Sequence, residues 1–469
     1  MASWPTRTSW ALWRFRCRRD ARRFNAALAK PEAAQAAHFR SILRRTEGSQ
    51  WAKAHGIDGT TTVEAFRERV PVQDPPGLAQ WTDRLIRGET AVLSRDPVER
   101  LVPTSGTTGP SKLIPMARPS RREYSIAVNL WMHDCFEQCP SLQRGRAYIA
   151  TSPAVNLPSV DSALPVGFAE DAAYLGAWER RVLNQILAVP THVAQLRDAA
   201  WRSATREHLF RSPDLRFLSL WHPGYLKALF DPDEFADLAR RWKNLSLISC
   251  WSDGACRGPS ERLMAHFPHA RHRPKGLWLT EGAVSVPWGA HCPVALESGF
   301  FEFEAEDGTT WLTHQLQRDA TYRPILTNHA GLFRYRLGDL VRVDAHLGRT
   351  PSLRWLGRAD QVVDLCGEKL NDAQIAVALA KVGWGKAFHL IPMRDEHPPG
   401  YQCVIEKPIE TFPLQRFEAA LRCNPHYNWA RQLGQLSALR IRQTAPLSIG
   451  KPLTPTSTHG KDSYLCEMW

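Results

Sequence analysis

The sequence predicts an α/β protein in two parts: a large N-terminal domain with parallel or mixed sheets and a barrel-like portion, and a small mobile α+β C-terminal domain. Three observations predict it. A loop at Val102–Met116, "VPTSGTTGPSKLIPM", leads into a helix capped by Ser120, whose face carries Tyr124, Ala127, Val128, Trp131 and Cys135. The segments "LSLISCWSDGA" (245–255) and "KGLWLTEG" (275–282) read as short buried strands ending in polar residues, where open α/β sheets place their ligands. From Phe300 the pattern changes to "FFEFE", "YRPILTN", "LFRYRLGDLVRVD" and "LRWLGR", short alternating strands broken by glycine.

The remaining elements follow the same logic. Residues 31–54 read as a helix, with Pro31 and Glu32 in its first turn and Ala36, Phe39, Ile42 and Leu43 on one face. After Asp360, "DLCGEKLNDAQIAVALAKVGWG" is a glycine turn followed by an amphipathic helix over about 371–382. This change of character puts a domain boundary at 358–360, giving a basic tail (1–24), an N-terminal domain (25–357) and a C-terminal domain (358–469).

At 469 residues, 43% of them hydrophobic, the chain can fill sizeable cores. Its net charge of +13 suits an anionic ligand, a nucleic acid or a membrane surface, but the tail holds seven arginines against one aspartate. That is +6 of the +13, so the other 445 residues carry only +7. The tail reads as a solvated terminus; the alternative is an anionic surface anchored by Trp10, Trp13 and Phe15. No apolar run approaches a membrane span, so a cytoplasmic protein is expected, without stable membrane association and without a nucleic-acid partner. Ten cysteines without a C-x-x-C pair read as reduced thiols. His266, His269 and His272 recur at threes, but Pro268 interrupts any helix that would align them on a metal.

The loop at 102–116 fails the Walker spacing, because Gly106 and Gly109 are followed by Pro110, Ser111, Lys112 and Leu113. A dinucleotide fingerprint is also absent. What remains is five hydroxyls, backbone amides and one lysine, able to wrap the β- and γ-phosphates of ATP.

Read in order after this loop come "SDGA" (252–255) with "FP" (267–268), "LTEG" (279–282), "YRLGD" (335–339), "GRAD" (357–360) and "GEKLND" (367–372). The series resembles the motifs of the adenylate-forming superfamily. The flanks "RVPVQD" (69–74), "RLIRGETAVLSRDPVERLVPTSGTT" (84–108), "KLIP" (112–115), "GFFEFE" (299–304) and "LTNHAGLFRYRLGDLVRV" (326–343) closely resemble the auxin-responsive Gretchen Hagen three family of acyl-acid amido synthetases, over about residues 33–380. The resemblance implies ATP-dependent adenylation of a small carboxylic acid and transfer of the acyl group to an amine, typically an amino acid. An acyl-CoA ligase sharing the adenylation half is the alternative.

Carried over residue by residue, the resemblance puts Thr104, Ser105, Gly106, Thr107, Thr108, Gly109 and Lys112 on the ATP phosphates. Asp253, Gly254 and Ala255 would line the adenine and acyl side, and Tyr335 the nucleotide site. Thr280 and Glu281 match a Ser/Thr-Glu pair, with Glu281 expected on Mg²⁺, where a divalent cation offsets phosphate charge as pyrophosphate departs. Asp339 matches an acceptor for both ribose hydroxyls, and Arg358 an arginine beside ribose and phosphate. Lys451, after Gly450, is the expected late catalytic lysine, with Lys461 its rival. The family places an aromatic residue four positions before the glutamate; this chain has Leu277 there, beside Trp278. Of Arg334 and Arg336, which share a face, one is expected to serve phosphate and the other structure. The acid pocket is expected between the helix at 120–139, the segment 151–168 and residues 251–300, and the hinge near Asp360 would let the small domain turn between the two half-reactions.

Overall fold

A computed structural model describes residues 4–103, 112–150, 162–167, 177–196, 198–359, 372–384, 388–393, 398–406, 412–432 and 434–444, with 363, 365, 368, 370 and 396. Its elements are mixed α and β, with several separate sheets.

The arginine-rich N-terminus is an integral helix, α1 (Trp4–Leu28). Trp10, Trp13, Cys17, Ala21, Phe24 and Leu28 recur at threes and fours and are all buried. Trp10 donates to the carbonyl of Gly145 at 2.9 Å and Trp13 to Asn129 at 3.3 Å, so even their polar atoms are tied to the body of the domain. Arginines cover the opposite face. The expectation of a solvated tail over 1–24 is therefore corrected: charge density masked an apolar stripe. Trp10 and Trp13, weighed as surface anchors, are core residues, while Phe15 does face solvent.

The second helix, α2 (Pro31–Thr46), is shorter than expected, because Gly48 adopts φ +78° and a separate turn of helix follows at Gln50–His55. Strands β1 (Val98–Pro103) and β2 (Leu113–Ala117) pair antiparallel, with Pro103 opposite Leu113. Helix α3 (Arg118–Gln138) follows β2 directly. Ser120 sits in its first turn, where its Oγ accepts from the Ala117 amide at 3.0 Å; Ala117 itself holds the cap position.

A parallel sheet follows: β3 (Arg146–Ile149), β4 (Leu215–Ser219), β5 (Leu247–Ser249) and β6 (Arg271–Arg273), in that spatial order. The expected strand at 275–282 is a tight hairpin instead. The turn is closed between Leu279 and Gly282, and Gly276, with φ +77°, lies at the hairpin's base, where a Cβ would lie 2.4 Å from the carbonyl oxygen of Ser285.

The barrel-like portion is a six-stranded antiparallel sheet: β7 (Phe300–Glu304), β8 (Thr310–Leu312), β9 (Thr321–Thr327), β10 (Tyr335–Arg336), β11 (Asp339–Leu347) and β12 (Thr350–Arg358). Arg334 and Arg336 both serve structure here. Arg334 clamps Glu302 with two nitrogens at 2.9 and 3.0 Å, and Arg336 clamps Glu304 at 2.9 and 2.7 Å.

The smaller C-terminal part has its own core, from Val363 to Leu439. Strands β13 (Phe388–Met393) and β14 (Gly400–Glu406) pair antiparallel, and β15 (Arg440–Thr444) adds parallel to β14. Buried Glu368, from the "GEKLND" station, accepts from the Leu365 amide at 2.8 Å and from the Tyr401 hydroxyl.

Candidate functional site

The site lies between the hairpin at 279–282, the edge of β11 and β12, and the end of the β1–β2 pair. The hairpin is closed by two backbone hydrogen bonds between Leu279 and Gly282, at 3.0 and 3.2 Å, which leaves Thr280 and Glu281 at its tip. Asn328, in the turn after β9, fastens that tip by donating to the carbonyl of Glu281 at 2.9 Å. Asn328 is itself held, accepting from the Ala330 amide at 2.9 Å.

Burial pushes the Glu281 carboxyl above the usual carboxylate range, and the neighbouring Asp339 pushes the same way; Arg358 and Lys112 pull it back. Three residues singled out from the sequence, Asp339, Arg358 and Lys112, thus stand within electrostatic reach of Glu281. Asp339 opens β11 and Arg358 closes β12, paired directly in register, so the ladder delivers an anion and a cation to one edge.

Trp355 completes this edge. Its indole N–H donates to Asp339 at 2.6 Å, and its backbone N–H donates to Asp253, whose carboxyl is nonetheless pushed up by burial. Gly254 adopts φ +54° against the same ring: a Cβ there would lie 2.4 Å from Cζ3 of Trp355. Thus "SDGA" and Asp339, 86 positions apart in the numbering, meet through one indole. Sequence reading passed over Trp355 and Asn328; the only signal was their place inside the quoted runs "LRWLGR" and "LTNHAG".

Other expected residues fall as follows. Tyr335 is 3% exposed on β10 and belongs to the main core. Ala255 lies in the turn Gly254–Cys256. Thr104–Gly109, Lys451 and Lys461 lie outside the described residues. Leu277 and Trp278 are both buried, and Trp278 packs edge-on against Tyr124 with ring centroids 5.4 Å apart. His266, His269 and His272 turn to three separate partners: the Phe235 carbonyl, the Trp242 carbonyl and the Cys250 thiol.

A cavity adjoins the hairpin, lined among others by Met116, Glu123, Tyr124, Thr280, Glu281 and Asn328. Beneath it His38 and His329 meet the same oxygen of Glu123, at 2.8 and 2.7 Å. The donor set could suit a metal ion, but the direct hydrogen bonds already satisfy it.

Two family models match the chain: the GH3 family N-terminal domain over residues 20–212 and the GH3 family central domain over residues 292–358. The chain belongs to the GH3 family. Among its relatives, the probable indole-3-acetic acid-amido synthetase GH3.2 of Oryza sativa subsp. japonica is 21% identical over 448 residues, covering 75% of this chain and 70% of the relative. A GH3 domain-containing protein of Mus musculus is 36% identical over 109 residues, 23% of this chain and 19% of that one. Among solved structures, AtGH3.15 acyl acid amido synthetase in complex with 2,4-DB aligns with a TM-score of 0.80 at 16% identity, over 94% of this chain and 93% of that one. A 2-hydroxyisobutyryl-CoA ligase in the postadenylation state aligns with a TM-score of 0.59 at 14% identity, over 96% and 90%. The fold of this GH3 chain is therefore that of adenylate-forming enzymes. Among its described residues no helix is long and apolar enough to cross a membrane.

Proposed function

We propose that this GH3 chain is an AMP-forming ligase that adenylates a small carboxylic acid with ATP and transfers the acyl group to an amine, typically an amino acid. The observation that carries this reading is the end of the β11–β12 ladder, where Asp339 pairs in register with Arg358 and accepts from Trp355, within electrostatic reach of Glu281.

In the first half-reaction a carboxylate oxygen of the acid attacks the α-phosphorus of ATP, and the bond to the β-phosphate breaks as pyrophosphate leaves. Lys112 and the loop Thr104–Gly109 hold the departing phosphates, and Arg358 faces the α-phosphate. Asp339, fixed by Trp355, accepts from the ribose hydroxyls, while Asp253 and Gly254 border the adenosine. Glu281, a hard oxygen ligand facing phosphate-binding cations, fits Mg²⁺; the ion, when bound, neutralises charge on the phosphate oxygens. In the second half-reaction the amine nitrogen attacks the acyl carbon, loses its proton, and the carbon–oxygen bond to AMP breaks. Lys451 is the proposed cation for the first of these steps. The domains proposed are 25–357 for adenylation and 358–469 as the closing unit, with α1 packed into the former.

A pyrophosphate-release screen over carboxylic acids, repeated with each amino acid and with coenzyme A, tests the reading. Release stimulated by an acid, with an amide formed in the presence of one amino acid, is expected. A thioester with coenzyme A would make the chain an acyl-CoA ligase, and failure of every acid to stimulate release would overturn both.

A further inference from the structure

Lys275 stands just past the end of β6, 6% exposed, with its Nζ 4.4 Å from the ring centroid of Trp131 and 4.7 Å from that of Trp221. It donates to Ser219 at 2.7 Å. Among the described residues no carboxylate accompanies it, and burial pushes its ammonium down to about 8. An ammonium enclosed by indoles with one neutral partner is a costly arrangement unless something else brings the opposite charge.

The placement says what that could be. Ser219, Trp221, Cys250, Trp251 and Lys275 all lie at or just beyond the carboxyl ends of parallel strands β4, β5 and β6, where open α/β sheets receive ligands. Helix α3 connects this box to the reacting edge. Tyr124 lines the cavity beside Glu281, and Trp131, on the same face seven residues on, covers Lys275, a separation of about 10 Å along the helix. Trp278 touches both, its ring 5.4 Å from Tyr124, 6.1 Å from Trp131 and 6.4 Å from Trp221. Its indole N–H is buried without an acceptor among the described residues, a second donor awaiting an acceptor.

We propose that Lys275, with Ser219, forms the far end of the acid pocket and selects an aromatic acid bearing a second anionic group remote from the reacting carboxylate. The indoles supply flat walls for the ring, and the ammonium supplies a charge-assisted hydrogen bond to the remote group. The proposal rests on the ligase reading for the identity of the reacting end.

The test is calorimetric titration of the full-length chain with matched acids, benzoate against terephthalate and phenylacetate against 4-carboxyphenylacetate. Each diacid is expected to bind about tenfold or more tightly than its monoacid, a ratio that collapses in Lys275→Met and is partly kept in Lys275→Arg. Ser219→Ala, which leaves the buried charge in place, should reduce the ratio without abolishing it and serves if Lys275→Met does not fold. Equal binding in the wild type, no binding of either acid, or a ratio that survives Lys275→Met overturns the proposal. Pyrophosphate release by monoacids without diacid preference would sink it while leaving the ligase reading intact. Diacid preference without pyrophosphate release would do the reverse.

Discussion

Trp355 donates its indole N–H to Asp339 at 2.6 Å while its ring rests against Gly254, so one side chain joins the β11–β12 edge to the "SDGA" turn. In the proposed reaction that hydrogen bond aims the Asp339 carboxylate at ribose. Trp355→Phe keeps an aromatic ring against Gly254 and deletes the donor. The KM for ATP should rise about tenfold or more, as for a lost hydrogen bond to a charged group, with little change in the KM for the acid. Steady-state kinetics with each substrate varied in turn checks this; an equal rise in both would mean a general loosening.

Glu281 couples its proposed role to a stability cost. Its folded-state carboxyl lies above the unfolded value, so ionisation penalises the fold progressively as pH rises from the unfolded pKa through the folded one, and fully above it. Glu281→Gln should therefore melt higher than the wild type at neutral pH, while pyrophosphate release falls about a hundredfold or more. Calorimetric melting beside the release assay reads both. A variant that melts lower would show the carboxylate to be stabilising.

Glu123 behaves oppositely. Burial raises its carboxyl, but His329 and His38 more than offset this and hold it below the usual range. Its stabilising contribution is present above the unfolded pKa and is lost as pH falls through the lowered folded one. Glu123→Ala, which strips the common partner from both imidazoles, should cost about 3–5 kcal/mol in denaturant unfolding at pH 7, with the deficit narrowing in acid. A pH-independent deficit would indicate lost packing alone.

The N-terminal helix is a structural member of the domain. Trp10 stacks on Trp13 with ring centroids 5.9 Å apart and meets Phe136 of α3 edge-on at 5.7 Å. Trp10→Ala should destabilise by about 3–5 kcal/mol in guanidinium unfolding, whereas replacing exposed Trp4 or Phe15 should change little.

What the sequence disclosed, and what it withheld, divides along the range of the interactions. Motif order names chemistry-bearing residues directly, and Asp339 and Arg358 do pair in register at one end of β11 and β12, with Glu281 within their electrostatic reach. The antiparallel strands after Phe300 were legible from alternation. The apolar stripe of α1 was hidden because seven arginines dominate its average character. The hairpin at 275–282 read as a strand because the turn closed between Leu279 and Gly282 is a backbone property that side-chain character does not report. The choice between Arg334 and Arg336 rested on a false alternative: Glu302 and Glu304, two positions apart on β7, hold Arg334 and Arg336 respectively. Trp355, Asn328 and Lys275 act through partners far away in the chain, and such pairings exist only once the sheets have assembled.

The central claim is that an acyl adenylate forms, and oxygen transfer tests it most directly. The acid found by the pyrophosphate screen is supplied with ¹⁸O in both carboxylate positions, together with ATP, Mg²⁺ and the amine, and the nucleotide product is weighed by mass spectrometry. Attack of the carboxylate on the α-phosphorus, followed by amine attack on the acyl carbon, leaves one ¹⁸O in AMP and one in the amide. Label in inorganic phosphate alongside ADP, or AMP without label, would contradict the account.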